Sequence, residues 1–201
     1  GLVGKNLCNH TATGMVGFFP EDVCAWNGVQ QGWCCDEFRK EGFIVEVAWA
    51  PPDVIGIRVP GFGMAHKDMM ARLRNMALWG AMIRARSTGR VIAPKKGWSP
   101  TILYSMNRRD AYLMKTAMKA TADLLFAGGA EYICPGMNKL PSEIHNRAKT
   151  SRILEAELSP TDFNPIGTHP NGTCRMSADR KRGVVDSFGQ THDVEGLYIA
   201  D

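Results

Sequence analysis

Between Arg108 and Ala127 the apolar residues recur at helical spacing. Leu113, Ala117, Ala120, Thr121 and Leu124 form one stripe, widened by Met114, Met118 and Leu125, and the spacing predicts a helix over 108–127. Asn107 offers a capping side chain at its start, and Asp110 can support the first-turn amides. Gly128-Gly129 supplies a left-handed stop. Phe43 to Ala50 alternates instead: Phe43, Val45, Val47 and Trp49 share one face, Ile44, Glu46 and Ala48 the other. With Gly42 before it and Pro51-Pro52 after it, this stretch predicts a strand that covers a core with its uniformly apolar side. Met69, Met70, Leu73, Met76 and Ala77 also lie on one helical stripe and predict a second helix from about Ala65 to Arg84. Gly89–Ala93 and Thr101–Tyr104 read as a hairpin turned by Lys95, Lys96 and Gly97, and Ala130–Cys134 as a short strand. The first sixty or so residues read as loops and strands. Signals weaken from Pro135 to Pro170, where Ile144–Leu158 is partly helical in pattern. The elements together predict an α+β fold, an antiparallel sheet backed by the helices that begin near Ala65 and Arg108.

Composition narrows this little but excludes some classes. The chain has 201 residues, 44% hydrophobic and 22% charged, enough for one large domain or two small ones with a real core. A net charge of +4 from 24 basic and 20 acidic residues is too small and too scattered for a nucleic-acid partner. No stretch approaches the ~18 consecutive apolar residues of a membrane span, which leaves peripheral membrane association open. The cluster Arg84, Arg86, Arg90, Lys95 and Lys96 reads as a solvated hairpin rather than a phosphate site. Six cysteines (Cys8, Cys24, Cys34, Cys35, Cys134 and Cys174) include no CxxC pair, so reduced thiols are expected and a structural zinc site is not. That leans toward a cytoplasmic setting without deciding the compartment. The chain opens on Gly1 and closes on the strand-like run Gly196–Asp201, and the expectation is a fragment of a longer chain.

The densest constellation of chemistry is Thr168-His169-Pro170-Asn171-Gly172-Thr173-Cys174-Arg175-Met176. Pro170 is expected to hold His169 in an extended backbone, and Gly172 to let the chain approach a ligand closely. An imidazole held this way can exchange a proton with a hydroxyl. Of the other histidines, His10 suits a structural hydrogen bond, and His66, His145 and His192 read as structural or exposed. Zinc on His169, Cys174 and His192 would lack a fourth ligand at familiar spacing. Asp186 reads as a turn residue.

The order H-P-x-G-T-C-R-M from His169, then Gly183-Val184-Val185-Asp186, then V-x-G-L-Y-I-A-D from Val194 to Asp201 resembles the C-terminal region of the GMC (glucose–methanol–choline) oxidoreductases. Val3-Gly4-Lys5-Asn6-Leu7-Cys8-Asn9-His10 is similar to that family's V-G-x-N-L-x-D-H, with Asn9 where Asp is usual. The stretches 28–38, 42–52 and 104–130 are similar to the branch of long-chain alcohol oxidases and related bacterial dehydrogenases. The resemblance implies an FAD-dependent oxidation of a small-molecule alcohol to a carbonyl. His169 would take the hydroxyl proton while hydride passes to flavin. Asp201 and Ala200, and with them Thr173 and Cys174, would lie along the cofactor. No metal is implied.

It also implies an arrangement of domains: a substrate-binding domain over 1–165, then over 166–201 the histidine segment and the start of a return to an FAD-binding domain of the same chain, incomplete here. The family's glycine-rich FAD motif is absent, for Gly61-Phe62-Gly63-Met64-Ala65-His66 lacks the third glycine and follows Pro60. A fragment of this kind is expected to be inactive by itself. Two alternatives share the ancestry: a sugar or polyol dehydrogenase with a membrane electron acceptor, and a non-catalytic binding domain. The apolar, Met-rich content leans toward an apolar alcohol.

Overall fold

The computed structural model describes residues 1–27, 29–94 and 99–200. In chain order the elements are β1 (Lys5–Phe18), β2 (Cys34–Cys35), β3 (Phe43–Ala48), α1 (Pro52–Gly56), α2 (Gly63–Ala71), β4 (Met76–Ile83), β5 (Gly89–Ile92), β6 (Thr101–Leu103), α3 (Arg108–Ala127), β7 (Tyr132–Cys134), α4 (Arg152–Glu155) and β8 (Ile166–Asn171). The class is α+β, and the ladders whose register is defined are all antiparallel. The chain divides into two compact units. One holds Thr11–Arg84 and Arg108–Ile166; the other holds Gly1–His10, Ala85–Asn107 and Gly167–Asp201. Strand β1 runs out of the second unit into the first.

The larger unit is a sheet buried on both faces. Its central strand is β4, paired with β1 through Val16↔Leu78 and Phe18↔Met76 and with β3 through Phe43↔Ile83 and Val45↔Ala81. On one face Val16, Phe18, Met76 and Leu78 pack with Ile55, Val59 and Cys134, and Met69, Met70 and Leu73 close over them. On the other lies α3, formed over the residues the periodicity predicts. It buries Leu113, Met114, Ala117, Met118, Thr121, Ala122 and Leu125. Gly17 is small where α3 crosses, since a Cβ there would sit 2.9 Å from the Leu125 side chain. Gly129, at φ +100°, ends the helix as the glycine pair predicts. Asp110 is fully buried and accepts from Arg109 Nη1 at 2.8 Å.

The helix expected over 65–84 is a correction. It stops at Ala71, a 3-10 turn follows over Leu73–Asn75, and Met76–Ile83 is the central strand. A strand buried on both faces shows a nearly continuous apolar run, and such a run also satisfies a helical template. Pairing on both sides decided the outcome, a choice that no local spacing contains.

The smaller unit is built of short pairings. The first residues of β1 pair with β5 through Lys5↔Arg90 and Leu7↔Gly89, and the register shifts between them where Asn6 takes φ +63°. Strands β5 and β6 form the expected hairpin, with Arg90 opposite Leu103. Its turn residues Lys95, Lys96 and Gly97 lie outside the described residues. Strand β8 also pairs with β1. The segment that follows is tied by single backbone bonds, Ser177 N–H to Val185 O at 2.9 Å and Ile199 N–H to Gly189 O at 2.9 Å among them. Asp186 holds a turn, its Oδ1 accepting from the Phe188 and Gln190 amides at 2.8 and 3.0 Å.

Candidate active site

His169 lies on β8 in the smaller unit, exposed, and its backbone is not extended. Its φ is +50°, the left-handed region, where a residue with a Cβ is strained by about 1–3 kcal/mol. The expectation drawn from Pro170 is thus overturned. Asn171 Nδ2 donates to the His169 carbonyl at 3.1 Å, and Gly172 turns the chain at φ +89°. These contacts and the pairing of β8 with β1 outweigh the local preference that Pro170 imposes.

The left-handed residue changes which way the ring faces. In a regular strand, positions 167 and 169 would share one face. Gly167 lies against the Asn9 side chain, so closely that a Cβ there would collide with it. The His169 ring instead meets His10, the neighbour of Asn9 on β1 and so on that strand's other face. The two Nδ1 atoms are 3.4 Å apart, the ring centroids 5.6 Å apart and the ring planes inclined at 42°. The result is a pair of imidazoles on adjacent strands.

Beside this pair of strands lies a cleft of about 470 Å³, lined by Leu7, Asn9, Val91, Ile102, Tyr104, Gly167, Pro170, Asn171 and Thr173. It is within the size range of small-molecule pockets, and it mixes apolar walls with amide and hydroxyl groups. Neither His10 nor His169 is among the residues that line this cleft.

Gly172 has a role inside the chain itself. A Cβ on it would run into the carbonyl oxygen of Asn6, so the backbone it lets approach is the chain's own. Next to it, Thr173 accepts from the Gly4 amide at 3.0 Å, fastening this segment to the start of β1. Thr173 and Cys174 are half-buried, and Cys174 is a free thiol. Ala200 is exposed. Asp201, the other position expected along a cofactor, lies outside the described residues.

The remaining histidines stand apart from this pair. His192 Nε2 lies 2.9 Å from the Ser177 carbonyl, and His145 Nε2 lies 2.8 Å from Glu143. His66, on α2, keeps a buried Nδ1 without a hydrogen-bond partner. Among the described residues no three His, Cys, Asp or Glu side chains converge as metal ligands. His10 is the residue that the structure brings to His169. Nothing near it in sequence announces its partner, which is 159 positions away.

A model of the GMC oxidoreductase family matches residues 85–201, more than half of the chain. The chain belongs to the GMC oxidoreductase family. An uncharacterized GMC-type oxidoreductase of Mycobacterium tuberculosis is 30% identical over 200 residues, covering 99% of this chain and 31% of that protein. A long-chain-alcohol oxidase of Arabidopsis thaliana is 24% identical over 224 residues, covering 99% of this chain and 29% of that protein. A 6'''-hydroxyparomomycin C oxidase of Streptomyces lividus is 42% identical over 41 residues, 20% of this chain and 8% of that protein. The chain thus spans roughly 30% of the length of the long relatives it matches throughout. The family match takes in the smaller unit beyond the start of β1 and, in the larger unit, α3, β7 and α4.

Proposed function

We propose that this GMC family member is the alcohol-handling part of an FAD-dependent oxidoreductase that converts a CH–OH group to a carbonyl, with His169 as the base. The observation that carries this is the His169 ring itself. It is exposed, it sits on a strand rather than at a loop tip, and it is held in a strained backbone conformation against a second imidazole. Strain of this kind persists where surrounding contacts over-determine it, and it concentrates at functional positions.

The exposure of these residues suits a flavin. His169 and Ala200 are exposed, and Thr173 and Cys174 only half-buried, so a planar ring laid against them displaces no packed core. Asp201 is the further residue we assign to the cofactor. Bound FAD would supply the two-electron acceptor for the hydrogen on the carbinol carbon. The chain's own part is to hold the alcohol and to take the hydroxyl proton on the imidazole, which raises electron density on oxygen and weakens the carbinol C–H bond. Met176, Phe188, Val194, Leu197 and Tyr198 are exposed apolar side chains of the smaller unit. We assign them to contact with an FAD-binding domain of the same chain. Relatives named as alcohol oxidases support an alcohol as the substrate class.

The test uses the full-length protein. It should purify with flavin absorbance, and anaerobic mixing with alcohol should bleach the flavin. His169→Ala should slow that bleaching by about a hundredfold or more while FAD stays bound. A colourless protein would remove the flavin from the scheme, and reduction at the wild-type rate in the variant would remove His169 as the base.

A further inference from the structure

The contact between His169 and His10 has a direction that follows from proton accounting. A base that receives a proton on one ring nitrogen must present a lone pair there, so its own proton sits on the other nitrogen. The nitrogen of His169 that faces His10 is Nδ1, at 3.4 Å from Nδ1 of His10. That is long for a hydrogen bond, as such contacts often are before a substrate is seated. Two arrangements satisfy it. In one, His10 donates and His169 is left with its proton on Nε2, unable to accept another there. In the other, His169 Nδ1–H donates to a lone pair on His10 Nδ1, and Nε2 of His169 carries the free lone pair.

We propose that His10 is the positioning residue of this site, accepting the Nδ1–H of His169 and so holding it in the tautomer whose Nε2 can take the alcohol proton. This rests on the reading of His169 as the base. In the step itself the O–H bond breaks, the Nε2–H bond forms, and the hydride goes to the FAD of the proposed reaction. His169 becomes an imidazolium whose Nδ1–H faces a neutral acceptor. His10 stays neutral, with its own proton on Nε2. The left-handed backbone at His169 has a purpose on this account: without it the ring would share the face of Gly167 and could not reach His10.

Two measurements on the full-length protein test this. Nitrogen-15 NMR of histidine-labelled enzyme, with the His169 signals assigned from their loss in His169→Ala, reads the tautomer directly. The expected state is Nδ1–H on His169 in the native protein and conversion toward Nε2–H in His10→Ala. An Nε2–H tautomer in the native protein, or no change in His10→Ala, overturns the proposal. The second measurement is the rate of flavin bleaching. His10→Ala should lower it about tenfold without changing the dissociation constant for alcohol. His10→Asn should recover most of the loss, because Asn Oδ1 places an acceptor close to the position of His Nδ1. An Asn variant as slow as the Ala variant overturns the acceptor role. Should His169→Ala prove as fast as wild type, the base reading fails, and the tautomer measurement still decides whether the two rings are coupled.

Discussion

The two units of this chain differ in packing, and the chemistry proposed for it falls in the more open one. The larger one buries its sheet on both faces: Met15, Val16, Phe18, Ala81, Met114, Met118 and Ile133 are all without solvent exposure. The smaller one has Leu7, Met106 and Val185 buried but leaves Ile102, Leu103, Phe188 and Tyr198 more than half exposed. Its strands are short, its register shifts, and left-handed backbone at Asn6, His169 and Gly172 runs through the place where β1 and β8 meet. A side chain that must reach a ligand needs open space and a particular direction, and both are obtained at the expense of regular packing.

The contrast can be challenged by mutation. The largest effect belongs to the packed unit. Met114→Ala leaves a cavity under α3 and should lower unfolding free energy by about 2–5 kcal/mol, read from the denaturant midpoint. A loss below about 1 kcal/mol would mean that the core is far looser than its burial implies. Strain in the other unit should show the opposite sign. His169→Gly, free to adopt φ +50°, should be more stable than His169→Ala by about 1 kcal/mol, and a glycine variant no more stable than the alanine one would argue against strain there.

Two smaller effects refine the picture of the packed unit. Thr13 on β1 is 1% exposed and its hydroxyl has no hydrogen-bond partner. Thr13→Val keeps the shape and removes the stranded oxygen, so thermal stability should rise by about 1 kcal/mol. A fall would mean that the hydroxyl is satisfied in solution. Asp162 gives a pH signature. Hydrogen bonds from Lys139 and from the Ser159 side chain and amide lower its pKa from 3.8 to about 2. A carboxyl depressed in the folded state contributes stability above its unfolded value and loses that contribution as pH falls through the folded one. The difference in melting temperature between wild type and Asp162→Asn should therefore be full at pH 5 and shrink between pH 4 and 2. A difference that stays constant over that range would detach the effect from Asp162 ionisation.

How much was legible in the chain varied with how local the deciding physics was. Helix α3 was readable to its ends because its stripe and its glycine stop are local signals. The hairpin and β3 were readable for the same reason. Strand β4 was not, because a run apolar on both faces leaves period two and period 3.6 indistinguishable until neighbouring strands are in place. The family signature drew attention to the segment around His169, yet the backbone inferred there from Pro170 was not what formed. His169 took φ +50° despite Pro170, and Gly172 lies where a Cβ would meet the Asn6 carbonyl, a contact from a strand far away in sequence.

By itself the sequence determined the class of fold, the family and the histidine on which the chemistry is argued, since each is written in short-range pattern or motif. Only the tertiary structure decided that Met76–Ile83 would be a strand, that His169 would turn left-handed and that His10 would lie beside it. Those outcomes depend on β1, which pairs with β4 at one end and with β5 and β8 at the other. Pairing energy between distant segments outweighed the local preferences of the residues involved, and no window of sequence contains both partners.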